Sequence, residues 1–137
     1  HSARERTVSS MRPRYADLFE ALCDPDPERA DRAFDAILFD RAEALPELEE
    51  CYRTAKRNAR LRYLSIQLMG FTEDPRAIPL VVKALDDPHP MVRAEACRSL
   101  EDLGAVEHRA GLEARLGDMD ALVRKAATEA LQNLPKK

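Results

Sequence analysis

Within residues 85–137 an aspartate is followed six residues later by an arginine twice, as Asp87 with Arg93 and as Asp118 with Arg124. A carboxylate beside a guanidinium could orient a substrate or take part in proton transfer. The two pairs, however, lie 31 residues apart in a longer repeated segment. We therefore expect the aspartate to cap a helix, and the arginine to bond loop carbonyls or the aspartate of a neighbouring unit. These four residues are predicted to be structural, and no catalytic residue is assigned.

The histidines and cysteines could in principle bind a metal or supply a nucleophile. His89 and His108 lie far apart in the sequence, and Cys23, Cys51 and Cys97 form no CxxC pair. Neither spacing is typical of a metal site, and no nucleotide-binding or hydrolase motif is present. The sequence therefore predicts no metal and no cofactor. Reduced, widely spaced thiols favour a cytoplasmic protein.

A basic stretch is the most unusual local feature, because residues 53–62 hold five basic and no acidic side chains. Four of its cations are expected to be solvated: Arg53, Lys56, Arg57 and Arg60. Arg60 belongs to this set unless Asn58 caps a new helix. Binding of nucleic acid or of an acidic partner through this stretch is one alternative function. The favoured interpretation is internal charge balance, since residues 17–50 hold twelve acidic and three basic side chains.

The composition sets the class of protein. Of the 137 residues, 34% are charged and only 5% are aromatic, which favours a charged helical protein over an all-β one. The formal net charge of −3 provides no global attraction for nucleic acid. No apolar run is long enough to span a membrane, so no membrane partner is predicted.

The elements that carry the Asp–Arg pairs are helical hairpins. The segment 85–104 returns as 116–135 with seven of twenty positions identical. Proline and aspartate predict that the second helix of the hairpin starts near residues 88–90, and Gly104 is expected to end it. Residues 74–85 predict a shorter first helix.

The same template extends back along the chain and predicts an all-α fold, an α-solenoid of about four stacked helical hairpins. One repeat domain covers residues 12–134, with an N-terminal tail or tag remnant at 1–11 and a C-terminal tail at 135–137. The units lie near 12–41, 43–72, 74–104 and 106–134.

The pattern "DDPHPMVRAEACRSLEDLG", preceded by "DPRAIPLVVKAL", resembles the HEAT-like repeat family in the short form that also occurs in phycobilisome lyases. The resemblance implies an α-α superhelix whose first helices line the convex face and whose second helices line the concave face. It also implies a non-catalytic scaffold that binds another protein, as a monomer or as part of a larger chain. A lyase-like enzyme is a further alternative, although no catalytic residue of the lyases can be matched here.

The family layout assigns the partner-binding face to columns of the second helices that fall off the apolar stripe. In chain order the predicted partner-binding residues are Asp31, Asp35, Tyr63, Gln67, Arg98, Lys125 and Glu129, and Ala94 shares these columns. Tyr63 is the one large amphipathic side chain among them, and such residues often dominate interfaces.

Overall fold

The computed structural model describes residues 11–136 and contains eight α-helices in that range. These are α1 (Pro13–Ala21), α2 (Pro27–Phe39), α3 (Leu45–Thr54), α4 (Ala59–Gly70), α5 (Ile78–Lys83), α6 (Pro90–Asp102), α7 (Arg109–Ala114) and α8 (Ala121–Asn133). The described range has no strand, which confirms the all-α prediction. Of the expected tails, residues 1–10 and Lys137 lie outside this range.

Helix α6 shows how the repeat sequence specifies each second helix. Pro90 is its first residue, where the missing N–H costs no hydrogen bond. At the other end Gly104 adopts a positive φ of 66°. The Gly104 N–H donates to the Glu101 carbonyl and the Ala105 N–H to the Leu100 carbonyl, both at 3.0 Å. This pairing satisfies carbonyls at the helix end and turns the chain into the next unit.

The first helices of the third and fourth units are short because 3₁₀ turns replace their ends. In the third unit α5 lies between the turns Pro75–Ala77 and Ala84–Asp86, and in the fourth α7 lies between Val106–His108 and Arg115–Gly117. Pro79 lies in the first turn of α5, where a proline is tolerated.

The second helices form the spine of the stack. Helix α4 packs along α6, and α6 packs along α8. Their facing side chains are small: Ala94, Ala96 and Cys97 are fully buried in α6. Gly70 approaches the neighbouring helix so closely that an added Cβ would lie 2.6 Å from the Ser99 Oγ.

The first unit joins the stack differently, because α2 does not pack along α4 in this way. Arg12, just before α1, donates to both carboxylate oxygens of Glu47 in α3 at 2.7 Å. Arg41, just after α2, donates to the Phe71 carbonyl at 2.5 Å. Side chains from α1 and α2, including Tyr15 and Ile37, still enter the same hydrophobic core.

Candidate functional site

The seam between the second and third units is held by a buried ion pair. Arg62 of α4 donates from Nε and Nη2 to the two carboxylate oxygens of Asp87, at 2.9 and 3.1 Å. Its Nη1 donates to the carbonyls of Ala55 and Lys56, at 3.0 and 2.9 Å. The Tyr52 hydroxyl donates to the same carboxylate at 2.6 Å. One guanidinium therefore ties the turn of its own unit to the turn of the next.

The electrostatics agree with a structural role for Asp87. Burial acts to raise the pKa of its carboxyl, but hydrogen bonds from Arg62, from Tyr52 and from the His89 N–H outweigh it and hold that pKa below its ordinary value. Burial and the charge of the same carboxylate raise the pKa of the Tyr52 hydroxyl. Near neutral pH the Asp87 carboxyl is therefore ionised and the Tyr52 hydroxyl is protonated.

The next seam repeats this geometry. Arg93 of α6 binds the two carboxylate oxygens of Asp118 at 2.9 and 3.0 Å, and its Nη1 donates to the Asp87 carbonyl at 2.8 Å. Arg124 of α8 donates to the Asp118 carbonyl at 2.8 Å and to the Met119 carbonyl at 3.1 Å. Within residues 11–136 no unit follows α8, and Arg124 has no carboxylate partner there.

The expectation that Asp87 and Asp118 cap the second helices is wrong by two residues. The N-caps are His89, whose Nδ1 accepts from the Met91 N–H, and Asp120, which accepts from the Leu122 N–H. Asp87 instead accepts from the His89 N–H and Asp118 from the Asp120 N–H, both at 2.9 Å. The earlier position lets each aspartate close its turn and still reach the arginine of the preceding unit.

The second-helix columns expected to bind a partner differ in exposure. Asp31, Asp35, Lys125 and Glu129 are exposed, and Tyr63, Gln67 and Arg98 are half-buried. Ala94, expected off the apolar stripe, is completely buried. The interpretation of Ala94 was wrong because α6 has neighbours on both sides, α4 and α8, which widens the buried part of its surface.

A cluster of three side chains joins α4 and α6 at this face. Glu95, which sequence reasoning missed, is 5% exposed and accepts from the Arg98 Nε at 3.0 Å. Burial raises the pKa of Glu95, and Arg98 only partly opposes it. The pKa of Tyr63 is raised by its burial and then by the negative charge of Glu95. Arg98 therefore has a structural partner, and its substitution would leave the buried Glu95 without its cation.

Beside this cluster lies a cleft of about 360 Å³ between the first turns of α4 and α6. Its lining residues are Ala59, Arg60, Tyr63, His89 and Met91. Met91 is 48% exposed although apolar, and Leu122, 31 residues later in the first turn of α8, is 46% exposed. An apolar residue recurs in this repeat column, just before Val92 and Val123 of the buried stripe, and that recurrence was the sequence signal that could have indicated this surface.

The basic stretch does not act as one surface. Asn58 caps α4, accepting from the Leu61 N–H at 3.0 Å, and so separates Arg60 from the cations before it. Arg53 and Lys56 line a cleft beside α3, whereas Arg60 lines the Tyr63–Met91 cleft. All four cations are exposed, and Arg53 pairs with Glu50.

Residues 11–136 provide few side chains suited to nucleophilic catalysis or to metal binding. Cys51 and Cys97 are buried, and burial raises the pKa of each thiol to about 11, which disfavours the reactive thiolate. No group of three or more potential ligands is arranged to hold a metal ion in this range. The described helices include none with the length and apolar character that crossing a bilayer requires.

Comparison with known proteins adds one finding. A family model described as HEAT repeats matches residues 45–132, from the first residue of α3 into the last turn of α8. No curated protein matches the chain. The match covers the units joined by Arg–Asp seams and leaves out α1 and α2.

Proposed function

Since this chain belongs to the HEAT repeat family, we propose that it is a non-catalytic platform that binds another protein on the face formed by α4, α6 and α8. Stacked repeats build one continuous surface of this kind, and most of their function lies in that surface. The seams described above account for the conspicuous Asp–Arg pairs as structural bonds, which leaves the exposed columns of the second helices for recognition.

The observation that carries this proposal is the cleft between Tyr63 and Met91. An aromatic side chain with a polar tip and a half-exposed methionine line a concave, mainly apolar space between two rigid helices. Tyrosine is enriched at interface hot spots, and methionine adapts to varied partner surfaces. Tyr63 is also held in place, because it lies against the Glu95–Arg98 pair.

The surroundings of the cleft suit a protein ligand. Leu122 continues the apolar column from Met91 onto α8, while Gln67, Lys125 and Glu129 supply a polar margin. An apolar centre with a mixed polar rim is the usual composition of a protein interface. Asp31 and Asp35 belong to α2, which does not pack along α4, so we place them outside the central part of this surface.

The test is quantitative affinity capture followed by measurement of the dissociation constant for each retained protein. The double variant Tyr63→Ala/Met91→Ala removes both apolar walls of the cleft and leaves Arg98 with Glu95. It should weaken binding of the partner at least tenfold, about 1.4 kcal/mol. The matched control Phe39→Ala/Leu116→Ala removes two other exposed apolar side chains and should bind normally. Normal binding by the first variant, with binding abolished by changes on α3, α5 or α7, would refute the assignment to this face.

A further inference from the structure

A second surface, on the side of the first helices, also has the form of a binding site. Two adjoining clefts of about 400 and 470 Å³ lie along α3, and both are lined by Glu49 and Leu80. Together they form a groove between α3 and α5, which we name the α3–α5 groove. Helix α3 has ten residues and is therefore about 15 Å long, enough to lie beside roughly three turns of another helix.

The groove exists because the two rows of helices pack differently. The second helices α4 and α6 pack closely, as the Gly70–Ser99 approach shows, whereas α3 and α5 do not pack along each other. The first helices therefore leave open space between them. Leu80 of α5 and the ring of Tyr52 provide apolar surface in the groove, whereas Met69 of α4, which also lines it, is almost completely buried.

The charge of the groove is opposite to that of the whole chain. Six cationic and three anionic side chains line the two clefts, although the formal net charge of the chain is −3. The cations are Arg12, Arg53, Lys56, Arg62, Arg76 and Lys83, and the anions are Glu43, Glu49 and Asp87.

Most of these charges already have partners. Arg62 is bound to Asp87, Arg76 to Asp74 and Arg53 to Glu50. Lys56, Lys83 and Glu49 differ: all three are exposed, and none has an oppositely charged side chain within ion-pair distance among residues 11–136. The two ammonium groups on the rim of an apolar cleft are thus available to an anionic ligand.

We propose that the α3–α5 groove binds an acidic amphipathic helix of a partner protein. Its apolar side chains would lie on Leu80 and Tyr52, and its carboxylates would face Lys56 and Lys83. An amphipathic helix in a groove is a recurring mode of peptide recognition, with apolar anchors at helical spacing. The groove shares no lining residue with the Tyr63–Met91 cleft, so this proposal does not depend on that cleft.

The apolar floor favours a helix over a nucleic acid. Binding to a phosphate backbone needs a track of cations and, for single strands, several aromatic platforms. The groove offers two unpaired lysines and one tyrosine, whose hydroxyl is already bonded to Asp87. Its polar and apolar parts are instead arranged side by side, as on an amphipathic helix.

The test uses three labelled probes with the full chain in fluorescence anisotropy. These are a designed 16-residue peptide with leucines at helical spacing and glutamates elsewhere, the same peptide with lysine in place of glutamate, and a 16-nucleotide single-stranded DNA. The acidic peptide should bind saturably, and the other two should bind at least tenfold more weakly.

Two protein variants locate the binding. Lys56→Glu/Lys83→Glu should weaken binding of the acidic peptide at least tenfold, while circular dichroism and the melting temperature stay as in the wild type. The control Arg57→Glu/Lys136→Glu makes the same charge change on exposed cations outside the groove and should bind within twofold of the wild type. Tyr63→Ala/Met91→Ala should also bind normally, which separates this proposal from the proposed function.

Several results would overturn the proposal. They are an absence of saturable binding by the acidic peptide, equal loss in the groove and control variants, and tighter binding of the DNA than of the peptide. Sedimentation showing self-association that is lost in Lys56→Glu/Lys83→Glu would assign the groove to a second copy of the chain instead of a partner.

Discussion

The first unit and the three units that follow are built from one template but joined in different ways. Arg62–Asp87 and Arg93–Asp118 form seams with the same Nε–carboxylate distance of 2.9 Å, and in both the carboxylate side chain is at most 3% exposed. At the joint between the first and second units, Ala30 occupies the arginine column and Lys56 occupies the aspartate column. The pair that replaces the seam, Arg12–Glu47, has an arginine side chain that is 46% exposed.

This difference shows which part of the repeat specifies regular stacking. Each seam arginine fixes the turn of its own unit and that of the next, so consecutive second helices are held in one register. Where the arginine is missing, α2 does not pack along α4. The contacts that join the first unit to the second then come from the two ends of the first unit, at Arg12 and Arg41. The HEAT family match begins at α3, on the regular side of this boundary.

The largest effect should follow from removal of a seam carboxylate. Asp87→Ala leaves Arg62 buried without its anion and also removes the acceptor for Tyr52, so we expect a loss of about 3–5 kcal/mol in the free energy of unfolding. Asp24 occupies the same turn of the first unit, accepts from the Asp26 N–H at 2.8 Å and, among residues 11–136, pairs only with the exposed Arg29. Asp24→Ala should cost much less in the same urea titration. Equal losses would show that the two kinds of joint are energetically alike.

A core truncation in each region tests whether the difference extends to packing. Leu100 of α6 and Ile37 of α2 occupy the same repeat column, and both are completely buried. Helix α6 is packed between α4 and α8, so Leu100→Ala should leave a cavity that cannot collapse. We expect a loss of about 2–5 kcal/mol in the free energy of unfolding. The loss for Ile37→Ala should lie lower in that range, because α2 does not pack along α4 and the surrounding side chains can relax. Chemical unfolding monitored by circular dichroism gives both values, and a larger loss for Ile37→Ala would contradict this view of the first unit.

A smaller effect should mark the closest helix approach. In Gly70→Ala the new Cβ would meet the Ser99 Oγ and Cβ at 2.6 and 2.7 Å, and Ser99 cannot easily move because its hydroxyl donates to the Ile66 carbonyl. We expect a loss of about 1–3 kcal/mol. Gly117→Ala is the control, since an added Cβ there meets nothing within 4 Å. Two indistinguishable melting curves would mean that α4 and α6 are not as closely packed as the geometry indicates.

Sequence reasoning located the repeated elements because their signals are local. Pro90 and Gly104 specify the two ends of α6 through backbone geometry alone, and the 31-residue period extends that assignment to α8. The role of Asp87 was harder to predict, since it depends on Arg62 and Tyr52, which lie 25 and 35 residues away.

The binding surfaces could be predicted only in part. Tyr63 was singled out by residue type, whereas its neighbour Glu95 was missed because a glutamate in an amphipathic pattern is usually exposed. The α3–α5 groove had no sequence signal at all. It arises because α3 and α5 do not pack along each other while α4 and α6 pack closely, which is a property of the packed helices and not of any one segment.

The smallest predicted effect is that of Glu95, a buried carboxylate within the regular units that we compare with Asp87. Burial acts to raise the pKa of Asp87, but hydrogen bonds from Arg62 and Tyr52 outweigh it and leave that pKa lowered, whereas burial raises the pKa of Glu95 above its ordinary value of 4.5. A lowered pKa means that the unfolded chain binds the proton more tightly, so the stability from Asp87 is present above its ordinary pKa and lost as the pH falls through the lowered value. For Glu95 the folded chain binds the proton more tightly, so stability declines as the pH rises from about 4.5 through the raised value.

The two residues should therefore respond to pH with opposite signs. Glu95→Gln keeps the size of the side chain and an acceptor for Arg98 but removes the buried charge. Relative to the wild type it should gain stability between pH 4.5 and 7, with the gain starting at the ordinary carboxyl pKa and levelling off above the raised one. Asp87→Asn should show its greatest deficit near neutral pH, and that deficit should shrink on acidification. Urea titrations of both variants and the wild type at several pH values from 3 to 7 measure these differences. If the difference in the free energy of unfolding between Glu95→Gln and the wild type does not change across this range, Arg98 fully compensates for the burial of Glu95. The second-helix face would then contain no destabilising buried charge that distinguishes it from the Arg–Asp seams.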